Sequence, residues 1–484
     1  MMKSMNEKSK LLFERIELAE KNRAGEVSKD PWRLRFHLMP PVGWLNDPNG
    51  LCHYQGVYHV FFQYSPFSAE GAEKFWGHYT SRDLTEWTYE GAALVTDEAF
   101  DRDGVYSGSA YAENGKLYLF YTGNVKEPGS HDYILTGREG NVVMTESADG
   151  YHFEKKQLLL TNSQYPEDYT CHVRDPKVFQ KEGMYWMVLG GRKKGDRGAA
   201  LVYKSMDMKN WEYHTELGVS GDFGYMWECP DIFEMGGEQF LSVSPQGLLR
   251  GRYEAQNIYA SGYFALDGDF RSGCGLKNFE EWDKGFDFYA PQTFLDETGR
   301  RILIGWAGLP DIGEEYGNPT VERGWQHALT VPRELTLKNG KVMQYPVPEL
   351  EKQRGQKKEA LLAKRQEAPA AFDLELLMEE KAGSLEIVIA DGMRFTWDGK
   401  EAVLAFERPE CGDTDIGKGR NVRRAIVSGL TEVRILADTS LAEIYLNRGE
   451  TVFTTRYYPD GSQNSLFIGG DVKRAVMWEM KERN

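Results

Sequence analysis

Between residue 57 and about residue 335 the hydrophobic positions fall in short alternating runs, each closed by Gly, Pro, Asn or Asp. That period-two pattern predicts β-strands joined by turns. Five runs resemble one another: Val57-Tyr-His-Val-Phe-Phe, Lys116-Leu-Tyr-Leu-Phe-Tyr, Met184-Tyr-Trp-Met-Val-Leu, Gln239-Phe-Leu-Ser-Val-Ser and Arg301-Ile-Leu-Ile-Gly-Trp. Their starts lie 59, 68, 55 and 62 residues apart. A second motif, Ser-x-Asp-x-x-x-(Trp/Phe), recurs between the early runs as Ser81-Asp83-Trp87, Ser147-Asp149-Phe153 and Ser205-Asp207-Trp211. A period near sixty with several strands per unit predicts a β-propeller, and five units predict five blades. A large sandwich with accidental similarity would leave the doubled motif without a cause.

The flanks read differently. In residues 5–25, Leu11, Leu12, Ile16 and Leu18 stand at roughly helical spacing among Glu, Lys and Arg, which predicts an amphipathic helix docked on the main body. Residues 1–30 are therefore expected to form a helical extension and residues 31–340 the propeller. Residues 341–371, rich in Lys, Glu and Gln, are expected to link two domains. From 372 to 484, runs at Leu385–Ile389, Ala402–Phe406, Val433–Leu436, Ala442–Leu446 and Thr451–Tyr457 are separated by Gly and Asp turns and predict a β-sandwich. The expected fold class is all-β: a five-bladed β-propeller followed by a C-terminal β-sandwich, with a short N-terminal helix.

Composition narrows the partners. The 484 residues exceed what one core holds, in keeping with two domains. A net charge of −16 opposes binding to nucleic acid or to anionic membranes. Aromatics at 13% leave rings to spare for a flat, half-apolar ligand such as a sugar. Cys52, Cys171, Cys229, Cys274 and Cys411 are odd in number, scattered and free of any C-x-x-C pair, so neither a disulfide framework nor a zinc site is expected. No apolar signal core follows the start and no span of about 18 apolar residues occurs. The expectation is a soluble, cytoplasmic monomer or homodimer without a cofactor.

The candidate chemistry lies just ahead of each run. The motifs are Asn46-Asp47-Pro48 within Trp44-Leu45-Asn46-Asp47-Pro48-Asn49-Gly50, then Asp103 to Ser109, Arg174-Asp175-Pro176, Glu228-Cys229-Pro230-Asp231 and Phe288-Tyr-Ala-Pro-Gln292. Asp47 precedes its run by ten residues, Asp175 by nine and Glu228 by eleven. If these motifs open the innermost strands, three carboxylates from three blades meet at one mouth of the channel. Converging acids suit hydrolysis of a glycosidic bond, with one carboxylate as nucleophile and one protonated carboxyl as acid. They also suit a hard cation, although Arg174 beside Asp175 counts against a metal there. A lone Asp in a turn caps backbone; three in register beside Trp and Arg call for more. His37, His53, His59, His78, His172 and His327 have no ligand spacing. Arg192-Lys193-Lys194 with Arg197 form a compact basic cluster, read as a solvated hairpin that could also contact a charged leaving group.

W-L-N-D-P-N-G, R-D-P and W-E-C-P-D resemble, in this order, the three signature blocks of glycoside hydrolase family 32, the invertases, sucrose-6-phosphate hydrolases, inulinases and levanases. Y-S-G-S-A at Tyr106–Ala110, F-Y-A-P-Q at Phe288–Gln292 and Leu441–Glu450 resemble it too, so the likeness runs from about His37 to near the C-terminus. The family's fold is a propeller followed by a sandwich. The resemblance implies a retaining β-fructofuranosidase acting on sucrose or sucrose 6-phosphate. It implies Asp47 as nucleophile, Glu228 as general acid and then base, and Asp175 as stabiliser of the transition state. It places Trp44, Leu45, Asn46, Gln63, Trp76, Tyr106, Ser107 and Arg174 in the fructose subsite and Tyr289 and Trp306 near its rim, with no metal. Tyr106 departs from the Phe of many members, and Cys229 is expected to tune Glu228. A fructosyltransferase or a fructo-oligosaccharide exo-hydrolase would use the same trio; a non-catalytic sugar-binding propeller would lack it.

Overall fold

The computed structural model of the chain describes residues 6–406, 415–460 and 465–481. Between Gly43 and Pro346 lie five antiparallel sheets of four strands in chain order, the blades of a β-propeller. The short strand Trp325–Gln326 adds to the first blade, parallel to its inner strand. The five similar runs are the second strands: Val57–Ser65, Lys116–Lys126, Met184–Lys193, Glu238–Gln246 and Arg301–Trp306. They resemble one another because a second strand sits between two neighbours and is covered on both faces, as in Val57–Ser65, buried at every position. The Ser-x-Asp motif is the turn between third and fourth strands of the first three blades. Asp83, Asp149 and Asp207 each accept backbone N–H groups two and three residues on. Trp87, Phe153 and Trp211 then pack against the blade cores.

The inner strands are Gly43–Tyr54, Val105–Glu113, Tyr169–Lys181, Met226–Met235 and Tyr289–Leu295. Each pairs with its second strand with one extra residue, after Leu45, Val105, Arg174, Glu228 and Tyr289 respectively. A β-bulge of this kind bends the strand and re-aims its side chains. The motif around Asp47 is thus a bulged inner strand and not a turn leading into a strand. A second irregularity in the same strand falls near Gly50, whose φ is +54° and where a Cβ would lie 2.6 Å from the Phe61 ring.

The N-terminal helix runs from Glu7 to Val27, with Asn6 accepting from the Ser9 N–H at 2.7 Å as N-cap. Its docking stripe is narrower than expected. Leu12 and Ile16 are buried against the first blade, while Leu11 and Leu18 stay 58% exposed. Four residues on from Ile16, Glu20 accepts from the Tyr64 and Tyr89 hydroxyls at 2.9 and 2.6 Å, so the stripe ends in a polar clasp.

The last part of the chain forms two six-stranded sheets around one apolar core, a β-sandwich. Residues 341–371 are not a bare linker. Lys341–Pro346 is the outer strand of the fifth blade, and Arg354–Glu359 is the edge strand of a sandwich sheet, paired with Val472–Met480. Its Lys and Glu side chains, exposed at positions 357–359, suit an edge open to solvent. The two bodies meet over buried charges. His37 lies 2.8 Å from both Asp438 and Glu443, Arg333 pairs with Glu443 at 2.6 Å, and Arg420 pairs with Asp287 at 2.8 Å. Cys52, Cys171, Cys229 and Cys274 are free thiols; Cys411 lies outside the described residues.

Candidate active site

The five bulges crowd their side chains around the propeller axis. Glu228 stands just before its bulge, Asp175 at the first bulged position and Asp47 at the second. This stagger, with hairpins of different length, lies behind the unequal offsets of the three acids in the sequence. They converge on Cys229, whose φ of +46° turns its thiol inward to 3.7 Å from Asp47 Oδ2 and 3.8 Å from Asp175 Oδ2. Its backbone N–H donates to Asp175 Oδ2 at 2.9 Å.

Asp47 is aimed by a closed set of hydrogen bonds. Asn46 Oδ1 accepts from Trp44 Nε1 at 2.7 Å and from Lys74 Nζ at 3.1 Å, which fixes the amide. Asn46 Nδ2 then donates to Asp47 Oδ1 at 3.1 Å and to Gln63 Oε1 at 2.7 Å. Gln63 Nε2 donates to Ser107 Oγ at 2.9 Å, and the Ser107 hydroxyl donates to Asp47 Oδ2. Asn49 holds the backbone, donating to the Asp47 carbonyl at 3.2 Å and accepting from Gly108 N–H at 3.0 Å.

Glu228 is aimed from the other side. Arg174 donates to its Oε1 through Nε at 3.2 Å and Nη2 at 2.7 Å. Gln246 Nε2 and the Tyr289 hydroxyl donate to Oε2 at 2.8 and 2.7 Å. Arg174 is itself held, its Nη1 donating to His172 Nδ1 at 2.6 Å, while His172 Nε2 donates to the Tyr133 carbonyl at 2.9 Å. Burial and the neighbouring Arg174 lower the His172 pKa to about 3, so the ring stays neutral and can accept.

Burial pushes Asp47 above the usual carboxylate range, with the Ser107 hydrogen bond pulling it back and the Glu228 charge adding to the rise. Burial pushes Asp175 up to about 7, opposed by Arg174 and reinforced by Glu228 and Asp47. The three acids crowd one another, and of them Asp175 is the one held part-protonated near neutral pH. A hard cation does not fit this donor set. Arg174 occupies one oxygen of Glu228, Gln246 and Tyr289 the other, and Ser107 and Asn46 take those of Asp47.

Asp47, Trp44, Tyr106, Arg174 and Glu228 remain partly open to solvent, while Asn46, Gln63, Ser107 and Asp175 support them from below. Tyr106 keeps its place because Gly104, at φ +152°, has no Cβ; one there would come 2.4 Å from the Tyr106 ring. Four of the residues expected in or around the subsite stand elsewhere. Leu45 is fully buried in the first-blade core. Trp76 is fully buried too, its Nε1 donating to the Tyr106 carbonyl at 3.1 Å, so it positions Tyr106 from behind. Tyr289 is not at a rim, since it touches Glu228 directly. Trp306 is 2% exposed and lies under the pocket, edge-on to Trp44 at 6.0 Å and to Tyr289 at 6.2 Å. Lys74, Asn49, His172 and Gln246 were missed. Of these Asn49 carried a signal, standing in the Trp44–Gly50 motif two residues after Asp47.

Residues 37–346 match the family described as glycosyl hydrolases family 32 N-terminal domain, and residues 343–479 match its C-terminal counterpart. The chain is 40% identical over 447 residues to the sucrose-6-phosphate hydrolase of Bacillus subtilis, covering 90% of each. It is 38% identical over 453 residues to the raffinose invertase of Escherichia coli, covering 90% of this chain and 92% of that one. The solved sucrose-6-phosphate hydrolase of Lactobacillus gasseri superposes with a TM-score of 0.86 at 29% identity over 96% of both chains.

Proposed function

The chain belongs to glycosyl hydrolases family 32, and from that premise we propose that it is a β-fructofuranosidase that hydrolyses sucrose 6-phosphate, with sucrose as the poorer substrate. The observation that carries the reading is the meeting of Asp47 and Glu228, from the first and fourth blades, in one cavity with Asp175. Asp47 attacks the anomeric carbon of the fructosyl unit while Glu228 gives its proton to the departing glucosyl oxygen. The bond from the anomeric carbon to that oxygen breaks and a fructosyl ester of Asp47 forms. Glu228, now a carboxylate, takes a proton from water; the hydroxyl attacks the same carbon, Asp47 leaves, and fructose is released with its configuration retained.

The remaining residues act on this sequence. Both oxygens of Glu228 are covered by donors, so the substrate has to displace one for the leaving oxygen to reach the carboxyl. Arg174 is the donor best placed to turn to a sugar hydroxyl, because His172 holds its far end. Asp175, fixed by the Cys229 N–H, faces the positive charge that develops on the ring. A phosphorylated disaccharide does not cross a membrane unaided, so this substrate places the reaction in the cytoplasm. No helix among the described residues is long and apolar enough to cross one.

Asp47→Ala is expected to lower kcat by at least about a thousandfold with the fold intact. Full hydrolysis by that variant would show that Asp47 is not the nucleophile. Values of kcat/KM for sucrose 6-phosphate, sucrose and raffinose, measured side by side, test the substrate.

A further inference from the structure

Arg138 is a cation in the wall of this pocket with no carboxylate within ion-pair distance among the described residues, and its buried Nε has no hydrogen-bond partner. It opens the third strand of the second blade, Arg138–Ser147, and is paired directly with Lys126 on the neighbouring strand. Residues paired across antiparallel strands project from the same face, so these two side chains stand side by side. The strand start abuts the inner strand of the third blade. A Cβ on Gly140 would lie 2.3 Å from the Val173 carbonyl oxygen. The loop before Arg138 is clasped to the same strand, Cys171 N–H donating to the Ile134 carbonyl at 2.8 Å and His172 to that of Tyr133 at 2.9 Å. Arg138 is thereby set next to His172 and Arg174.

Two members of the hairpin cluster singled out in the sequence are neutralised by internal ion pairs. Arg192 pairs with Asp196 at 2.6 Å, and Lys193 with Asp168 at 2.8 Å and Glu216 at 2.6 Å. Lys126 is exposed, its Nζ 5.7 Å from the centre of the Tyr133 ring; its backbone N–H donates to Asp103 at 2.8 Å, but among the described residues no carboxylate forms an ion pair with its ammonium. Burial lowers the pKa of both Arg138 and Lys126, and the charge of Arg138 adds to the effect on Lys126. Two adjacent unpaired cations, one half-buried, raise the energy of the pocket, and a bound anion relieves it.

Position identifies which part of a substrate would bring that anion. The loop before Arg138 is clasped to the strand of Arg174, which donates to Glu228, whereas the cation on the Asp47 side is Lys74, bonded to Asn46. Arg138 is therefore on the side of the acid, where the leaving group goes. We propose that Arg138, with Lys126 as a second cation, forms an anion subsite for a phosphate monoester on the departing glucosyl unit. A phosphate near neutral pH carries close to two negative charges, and its oxygens match the fork of a guanidinium. The proposal rests on the fructofuranosidase reading above and adds the residues that distinguish a phosphorylated disaccharide from a neutral one.

The test is the ratio of kcat/KM for sucrose 6-phosphate to that for sucrose. Arg138→Met should cut this ratio at least tenfold, Lys126→Met by a smaller factor, and Arg138→Lys should restore part of the loss. With the wild-type protein, glucose 6-phosphate should inhibit competitively at a concentration at least tenfold lower than glucose, with no such gain for fructose 6-phosphate over fructose. That comparison decides the matter even if Arg138→Met fails to fold. A wild type without preference for sucrose 6-phosphate would sink both the substrate reading and the subsite. A preference that survives in Arg138→Met, or an inhibition gain that belongs to fructose 6-phosphate, would sink the subsite alone.

Discussion

Lys74 stands in the pocket as a half-buried ammonium, its Nζ 4.7 Å from the centre of the Trp44 ring and bonded to Asn46 Oδ1. Burial lowers its pKa to about 8, with Asp47 acting to raise it. Its charge favours ionised Asp47, and its hydrogen bond keeps the Asn46 amide turned toward that carboxylate. Both effects predict a pH signature. As pH rises through about 8 the ammonium loses its proton, and kcat/KM should fall along an alkaline limb there. In Lys74→Met that limb should vanish, the acid limb should move to higher pH because Asp47 has lost its cation, and kcat/KM near pH 6 should drop roughly tenfold. A pH profile of the variant that matches the wild type would contradict this. Lys74 was invisible in the sequence because it belongs to no motif and no repeat. The three acids were legible because they sit in bulges that recur with the blades. Leu45 was misplaced for a related reason: a motif marks a stretch of strand, and neighbours along a strand point to opposite sides, one into the pocket and one into the core. Trp76 shares a face with its partner Gln63 but is fully buried behind Tyr106.

Blade elements meet through positions that cannot carry a side chain. Gly190, on the second strand of the third blade opposite Arg174, abuts the inner strand of the fourth; a Cβ there would come 2.2 Å from the Trp227 carbonyl oxygen and 3.3 Å from Glu228 Cα. The contact is with backbone, which cannot rotate away. Gly190→Ala should therefore move the strand bearing Glu228 without unfolding the blade. A displacement of about 1 Å at a catalytic group can cost on the order of a hundredfold. The expected result is a loss of that size in kcat with near-native circular dichroism; unchanged kcat would mean that the blades are free to part. The blades were readable from sequence because their second strands are buried on both faces and share an apolar pattern. The edge strand Arg354–Glu359 was not, since an unpaired edge is kept soluble by Lys and Glu and so looks like a linker. The helix stripe was half legible for a similar reason: Leu11 and Leu18 are apolar but lie beside the line of contact that Leu12, Ile16 and Glu20 make.

For the molecule as a whole, the joint between propeller and sandwich makes stability depend on pH in a fixed direction. His37 is sandwiched between Asp438 and Glu443. Burial acts to lower its pKa, but the hydrogen bonds and charges of the two carboxylates outweigh it and raise it above the ordinary value. A group whose folded pKa is raised stabilises fully below its unfolded value, about 6.5, and loses that contribution as pH climbs through the folded value. The partner acids behave oppositely. Glu443 is lowered to about 2 despite its burial, chiefly by Arg333 and His37, and Asp438 is lowered by His37, so both contribute above about pH 4 and fail only in strong acid. Asp283, which accepts from Thr454 across the joint, is pushed up to about 6 by burial, with Arg333 opposing. Burying its charge therefore removes stability between about pH 4 and 6. Summed over the joint, these signs predict that Tm falls as pH rises from about 5 to 8. In His37→Gln the part of that fall above pH 6.5 should flatten, at the cost of a lower Tm at pH 5. Glu443→Gln should be more damaging, about 3–5 kcal/mol, because it leaves Arg333 and His37 buried with too little negative charge. A wild-type Tm that rises from pH 5 to 8, or a His37→Gln profile parallel to it, would show that the charges at this joint do not govern how the two bodies hold together.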